Sequence, residues 1–276
     1  MDSFSLRGKT AVLTGAARGL GLAFAQILGE AGANIAVLDI IEPDAGLKQI
    51  ESDHGVKVRY YKTDVTNRQQ VTDAVAKIEE EVGEIDINVN AAGVVKDEPF
   101  LTTTDRNLEL TFGVNFIGSF LVAQACANAM VRKRERKYGK SAPPRGEETT
   151  NGSIVFVTSI ATHIASTAQQ ISCYTASKAA VRGLVKPLAM ELAQYGIRVN
   201  SLSPGYMMTD MMRGLQQQQP SLVAQFEKET MYGRIGNPAE LQGAMLFLCS
   251  RASGWYTGQD ILVDGGASSW KHPAPL

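Results

Sequence analysis

The sequence predicts a single α/β domain: one seven-stranded parallel sheet, doubly wound, with helices on both faces. Short apolar runs alternate with helical runs along the 276 residues, the pattern of a doubly wound sheet. A glycine-rich turn also joins the first strand to the first helix, as nucleotide-binding βαβ units require. The composition, 44% hydrophobic and 20% charged, suits one large core. A formal net charge of −1 argues against a globally basic nucleic-acid binder. No run of eighteen apolar residues suggests a membrane span. The N-terminus lacks the basic start and apolar core of a signal peptide. Cys126, Cys173 and Cys249 are odd in number and far apart, which fits a reducing, cytoplasmic setting better than a disulfide framework. His54, His163 and His272 show no ligand-like spacing, so no metal is expected.

Thr10 to Leu13 reads as a buried strand. Thr14-Gly15-Ala16-Ala17-Arg18-Gly19-Leu20-Gly21 follows, then a helix through Leu22–Leu28. Gly15 permits the tight turn, Gly19 lets the backbone approach a pyrophosphate, and Gly21 lets the helix pack close to the strand. The second strand runs from Gly32 to Asp39. An acid about twenty residues past the turn accepts hydrogen bonds from the adenosine ribose. Asp39 would also repel a 2′-phosphate, favouring NAD over NADP, while Arg18 could pair with that phosphate. The acid carries more weight, because a carboxylate beside a phosphate costs more than a flexible Arg recovers.

Val56 to Tyr61 reads as the third strand. Thr66 or Asn67 caps a helix from Gln69 to Val82, leaving Asp64 free for the adenine amino group. The fourth strand, Ile85 to Asn90, runs into Ala91-Ala92-Gly93, small residues that leave room for a cofactor. A helical run spans about Asp105 to Lys137 and carries Asn115 among apolar neighbours, a buried amide in need of partners. The basic run from Arg132 reads as a solvated helix end, followed by a loop insertion at about 138–152. Ser153 to Thr158 is the fifth strand and ends at Ser159. Ile197 to Leu202 is the sixth and ends at Ser203-Pro204-Gly205. The Met- and Gln-rich stretch 206–232 reads either as a lid over the site or as a satellite core cluster. A helix starts at Asn237-Pro238, and Tyr256 to Gly266 gives the last strand and a tight turn.

Tyr174 to Tyr195 is a long helix with apolar residues at Ala176, Ala179, Ala180, Leu184 and Leu188. Tyr174 and Lys178 lie a turn apart on one face. A charge at ~4 Å contributes about 4 kcal/mol at an effective dielectric of 20, which would bring the phenol near pH 7. That is where a general acid/base works best. The strand ends at Thr14, Asn90, Ser159 and Ser203 line one crevice.

These pieces together resemble the short-chain dehydrogenase/reductase family over nearly the whole chain. The matching residues are Thr14 to Gly21, Asp64-Val65, Asn90-Ala91-Ala92-Gly93, Asn115, Ser159, Tyr174-x-x-x-Lys178, Pro204-Gly205 with Thr209, and Val263 to Gly266. The resemblance implies a Rossmann fold and hydride transfer between a secondary alcohol or ketone and a nicotinamide cofactor. It also implies roles for individual residues. Tyr174 would be the acid/base and Ser159 would orient the substrate oxygen. Lys178 would hold the nicotinamide ribose, and Asn115 a water that relays protons to it. Thr209 and the region before Pro204 would hold the carboxamide. A dimer or tetramer through the helices around Asn115 and Tyr174 is implied as well. Ala91 stands where the family often has a second Asn, whose place a neighbouring backbone group can take. The loop Ile160 to Ile164 resembles the fungal sorbose reductase, mannitol and arabinitol dehydrogenase branch, which suggests a polyol or ketose. The Met-rich stretch suits a cyclic or terpenoid secondary-metabolite alcohol, and a non-catalytic nucleotide-binding scaffold is the alternative from another class.

Overall fold

The computed structural model describes residues 2–43, 45–139 and 150–270. The strands are β1 (Thr10–Thr14), β2 (Asn34–Asp39), β3 (Val58–Lys62), β4 (Ile85–Asn90), β5 (Gly152–Val157), β6 (Ile197–Pro204) and β7 (Asp260–Val263). They form one sheet in the order β3-β2-β1-β4-β5-β6-β7, and every pairing is parallel. The strand order reverses between β1 and β4, where Thr14 lies opposite Asn90. A crevice opens beyond the carboxyl ends at such a switch point.

Side-chain alternation sends the strands' apolar residues to two cores. Leu13, Ile35 and Val37 face Phe24 and Leu28 of α1 (Gly19–Glu30). The same core takes in α2 (Ala45–His54) through Leu47 and Ile50. On the other face, Val12, Leu38 and Phe156 meet Ile78 of α3 (Arg68–Glu81). A fully buried Phe such as Phe24 or Phe156 contributes roughly 1.5–3 kcal/mol. α2 was not legible in advance, because it buries only those two apolar side chains.

The long helical run is not one uniform helix. α4 (Asp105–Phe112) passes into a π-helical stretch, Gly113–Gly118, and then into α5 (Ser119–Tyr138). Taken together, Asp105–Tyr138 is long and apolar enough to cross a membrane by composition alone. Half of its most apolar window is buried, and α5 packs on β4, β5 and α3, as a core helix does. The basic end of α5 keeps Arg132, Arg136 and Lys137 at the surface, as expected, and adds ion pairs the sequence did not show. Arg132 pairs with Glu79 at 2.6 Å, Arg136 with Glu84 at 2.9 Å, and Lys133 with Asp86. Acids spaced along α3 and β4 hold that helix end against the sheet. Of the insertion at 138–152, residues 140–149 lie outside the described residues.

α6 (Ser172–Ala193) differs in phase from the expected face. It buries Cys173, Ser177, Lys178, Val181, Val185 and Ala189, while Ala176 and Ala179 are exposed. The buried stripe admits a Ser and a Lys, while Leu184 and Leu188 of the expected face are half-buried against the same core. After β6 come α7 (Asp210–Gln218) and α8 (Pro220–Lys228), which pack Val223 and Phe226 with Met208 and Met212 into a small third core. These Met side chains therefore belong to a satellite core. α9 (Gln242–Cys249) follows a short turn capped by Asn237 and Glu240 and precedes β7. The three cysteines are free and buried.

The glycine turn sets the tightest packing. A Cβ on Gly21 would lie 2.2 Å from the Gly15 carbonyl oxygen and 2.7 Å from Ala16 Cα. Both are backbone atoms and cannot yield. Gly21→Ala is expected to destabilise the protein by about 1–3 kcal/mol, read as a lower midpoint in urea unfolding with an unchanged slope.

Candidate active site

Past β5 the chain turns at Ser159, whose Oγ accepts a hydrogen bond from Ala161 N at 3.1 Å and starts a short 3-10 turn, Ile160–Thr162. Tyr174 stands in the first turn of α6 and Lys178 in the next. Lys178 Nζ donates to the Val157 carbonyl at 2.8 Å and is buried. Asn115 occupies the π-helical stretch, a local irregularity frequent at functional sites. Its Nδ2 donates to Val94 O at 3.0 Å and to Ser177 Oγ at 2.9 Å, and its Oδ1 accepts from Val94 N at 2.8 Å. Ser177 Oγ donates onward to Tyr174 O at 2.7 Å. Both amide hydrogens of Asn115 are thus spent within the protein. A Cβ on Gly93 would lie 3.2 Å from Lys178 Nζ and 3.3 Å from Asn115 Oδ1, a tight fit that would make one of these side chains shift.

Ser159 and Tyr174 are shared by two cavities. One, of ≈ 590 Å³, runs from the glycine turn to Lys178. The other, of ≈ 750 Å³, opens between the turn after β5, the start of α6 and Tyr206. The first fits a dinucleotide. Gly19 has φ +61° and a Cβ there would meet nothing within 4 Å, so bare backbone faces open space at the start of a twelve-residue helix. That helix has no acidic residue in its first turn. Gly15, Arg18, Leu20, Gly21, Ala91, Pro204, Gly205 and Thr209 line the same cavity with Gly19 and Gly93. Thr209 caps α7 through Met212 N.

Other expected cofactor residues stand back from that wall. Asp39 closes β2 and is 9% exposed; its oxygens accept from Ala17 N and Ile41 N, both at 3.1 Å. Arg18 is exposed. Asp64 accepts from Thr66 N and Oγ1 in an exposed turn, while Asn67 caps α3. Val65 is buried beside Gly118, where a Cβ would come within 2.6 Å of it. Asn90 donates to Asn88 Oδ1 at 2.7 Å, and its own buried Oδ1 has no partner. Beside Ala91, Thr14 Oγ1 accepts from Ala91 N and Ala92 N at 3.1 and 3.0 Å. A side chain of β1 thereby anchors the turn where the family often has a second Asn.

The electrostatics of the pair differ from expectation. Lys178 Nζ is 5.9 Å from the Tyr174 ring centroid. Burial, the larger influence, pushes the Tyr174 phenol up, and a hydrogen bond with Ser159 pulls it back only in part. Burial also lowers Lys178 to about 8. The expected drop of the phenol to near pH 7 is therefore corrected: desolvation disfavours both charged forms. A protonated phenol is the state that donates a proton.

Two acids escaped sequence reading because no local pattern marks them. Asp260, on β7, accepts from Ser201 Oγ at 2.5 Å, from Ser203 Oγ and from Thr158 Oγ1. His163 Nε2 lies 2.8 Å from its other oxygen, so this histidine bonds across the sheet rather than within its own loop. Asp260 ties the strand end before Ser159 to the loop after it. Glu229, after α8, is buried behind Ser166 and Tyr206 of the second cavity. Among the described residues, no group of three or more His, Cys, Asp or Glu is arranged to hold a metal.

Comparison with known proteins agrees over the full length. The family model described as Enoyl-(Acyl carrier protein) reductase matches residues 15–268. Sorbose reductase sou1 of Schizosaccharomyces pombe is 36% identical over 275 residues, covering 96% of this chain and 98% of that protein. The 5-keto-D-gluconate 5-reductase of Escherichia coli is 35% identical, with coverage of 96% and 97%. A crystal structure of a gluconate 5-dehydrogenase from Burkholderia cenocepacia, in complex with NADP and tartrate, aligns with a TM-score of 0.85 at 35% identity, over 98% of this chain and 99% of that one.

Burial of Lys178 has a consequence for stability. Its folded value of about 8 lies below the ordinary 10.5. Between those two pH values the unfolded chain binds more proton at this site, so its contribution to stability rises with pH across that window and the cost is largest below it. Lys178→Met is expected to melt higher than the wild type at pH 7, by the equivalent of about 1–3 kcal/mol, with the gap closing towards pH 10 in parallel melts.

Proposed function

The chain belongs to the short-chain dehydrogenase/reductase family, and on that premise we propose that it interconverts a secondary alcohol and a ketone with a nicotinamide dinucleotide, the substrate being a polyol or ketose. The observation that carries this reading is the meeting of the two cavities at Ser159 and Tyr174, with Lys178 buried beside them. A bound nicotinamide supplies or accepts the hydride. The chain's own residues manage the oxygen. In reduction, Tyr174 Oη gives its proton to the carbonyl oxygen as negative charge develops there. Ser159 Oγ donates a second hydrogen bond to that oxygen and stabilises the same charge. Burial pushes the Tyr174 phenol up, which favours its protonated, donating form. Oxidation needs the phenolate, and the nearby Lys178 ammonium favours it electrostatically. Asn115 holds Val94 and Ser177 in place around Lys178 and so acts as a positioning residue.

For the cofactor we favour NAD(H). Asp39 puts a carboxylate at the end of β2, and the next two residues, Ile40 and Ile41, are exposed and uncharged. Arg18 is the opposing cation. The comparisons lend this choice nothing, since the Burkholderia cenocepacia structure has NADP bound. Asp64, Val65 and Asn90 would support the adenosine half from behind the cleft wall. The 206–232 segment would close over the site, with Met207 and Met211 on the cleft wall. The apolar wall of the second cavity, including Leu101, Ile160 and Ile164, supports a cyclic secondary-metabolite alcohol as the second reading. Exposed Leu108, Leu110, Ile117 and Met190 on the outer helices support a homodimer or homotetramer. Three free cysteines support a cytoplasmic setting.

Tyr174→Phe is expected to lower ketone reduction at least a thousandfold while cofactor affinity, read by nucleotide fluorescence, stays within about threefold. Turnover near the wild-type rate would remove Tyr174 from the mechanism. The ratio of kcat/KM for NADH over NADPH is expected to exceed one and to fall on Asp39→Ala; a wild-type preference for NADPH would overturn the role given to Asp39.

A further inference from the structure

The second cavity carries information about substrate charge. Among the described residues that line it there is no Lys, Arg or His. Lys178 lines the other cavity and points to Val157 O. Behind the far wall lies Glu229, 1% exposed. Its Oε1 accepts from Ser166 Oγ at 2.9 Å and its Oε2 from Tyr206 Oη at 2.6 Å, and among the described residues no cation is paired to it. Ser166 and Tyr206 both line the cavity. Tyr206 is held by stacking on Phe226, with ring centroids 4.5 Å apart. At the rim, Asp97 accepts from Gln170 N, while Glu98 is offset by Lys96 at 3.2 Å.

A hydroxyl has one hydrogen to give. Ser166 and Tyr206 give theirs to Glu229, and Ser166 Oγ also accepts from Ala168 N at 3.0 Å, so neither has a hydrogen left for the cavity and what they offer it is acceptor capacity, chiefly at Tyr206 Oη. Such a wall accepts from a substrate hydroxyl. A substrate carboxylate, which only accepts, would face those lone pairs and the charge of Glu229 behind them, with no cation to pair it. Resting on the alcohol/ketone reading above, we propose that this cavity selects uncharged, hydroxyl-bearing ketones and rejects sugar acids, and that Glu229 acting through Ser166 and Tyr206 is the specificity-determining group. The chain would then share the neutral substrate class in the name of its sorbose reductase relative rather than the keto acid in the name of its gluconate reductase relative.

The test compares L-sorbose with 5-keto-D-gluconate at pH 7. Wild-type kcat/KM is expected to favour the sugar by at least tenfold, on the order expected of one nearby unpaired charge. In Glu229→Gln, whose amide can donate to Ser166 or Tyr206 and turn one hydroxyl round, the ratio is expected to fall at least fivefold through a gain on the acid. In Tyr206→Phe, which loses one acceptor, the KM for sorbose is expected to rise with kcat nearly unchanged. Preference of the wild type for the acid would overturn the proposal, as would a ratio that does not move in either variant when circular dichroism shows it folded. Binding is read separately, as the shift in melting temperature that each ligand causes in Tyr174→Phe with cofactor present. If sorbose stabilises and the keto acid does not, the charge selection stands even where turnover fails, and only the reaction assignment falls.

Discussion

An ammonium buried at the carboxyl end of β5 sets the terms for everything around it. Lys178 Nζ donates to the Val157 carbonyl and lies 5.9 Å from the Tyr174 ring centroid, and burial lowers its pKa to about 8. An uncompensated buried charge is costly, so the structure near it is held with little slack. Gly93 leaves room for Nζ, and the π-helical stretch turns Asn115 inward. Asn115 then fixes the Val94 backbone on one side and Ser177 on the other. A site built this way gives up folding stability for a cation placed beside Tyr174, the kind of local cost that functional sites carry and the rest of a fold offsets.

The sheet supplies that offset and the geometry. Reversal of strand order between β1 and β4 opens the crevice, and the glycine turn after β1 reaches its floor. Asp260 does a parallel service on the other side, gathering Thr158, Ser201, Ser203 and His163 so that the turn carrying Ser159 is tied to β6 and β7. Ser159 and Tyr174 thus sit on segments restrained from opposite sides, which is how a proton donor and a hydrogen-bond donor can converge on one oxygen.

The sheet and its strand-end residues were legible because period-two apolar runs and glycine spacing are local signals. The glycine turn, Ser159 and the Tyr174–Lys178 spacing could be read for the same reason. What escaped was non-local. The buried face of α6 contains Ser177 and Lys178, so apolar periodicity caught Leu184 and Leu188 but not the residues that pack deepest. The acidic partners of the basic end of α5, Glu79, Glu84 and Asp86, could not be read because they come from other parts of the chain. The Tyr174 titration was misjudged because spacing reveals the nearby charge but not the desolvation that opposes it. Asp260 and Glu229 sit in stretches with no motif, and only the folded chain brings their hydroxyl partners to them.

The two acids show how one fold separates reaction from recognition. Asp260 satisfies the hydroxyls of Thr158, Ser201 and Ser203, none of which lines the second cavity. Glu229 satisfies hydroxyls that do line the substrate cavity, and so sets which way they point. Orienting a hydroxyl by a buried carboxylate fixes it as an acceptor without exposing the charge itself. The proton-transfer residues can then stay the same while the far wall is changed one acid at a time. On the proposed reading, substrate class in such a site is decided by the hydrogen-bond polarity of Ser166 and Tyr206, apart from the proton transfer proposed for Tyr174.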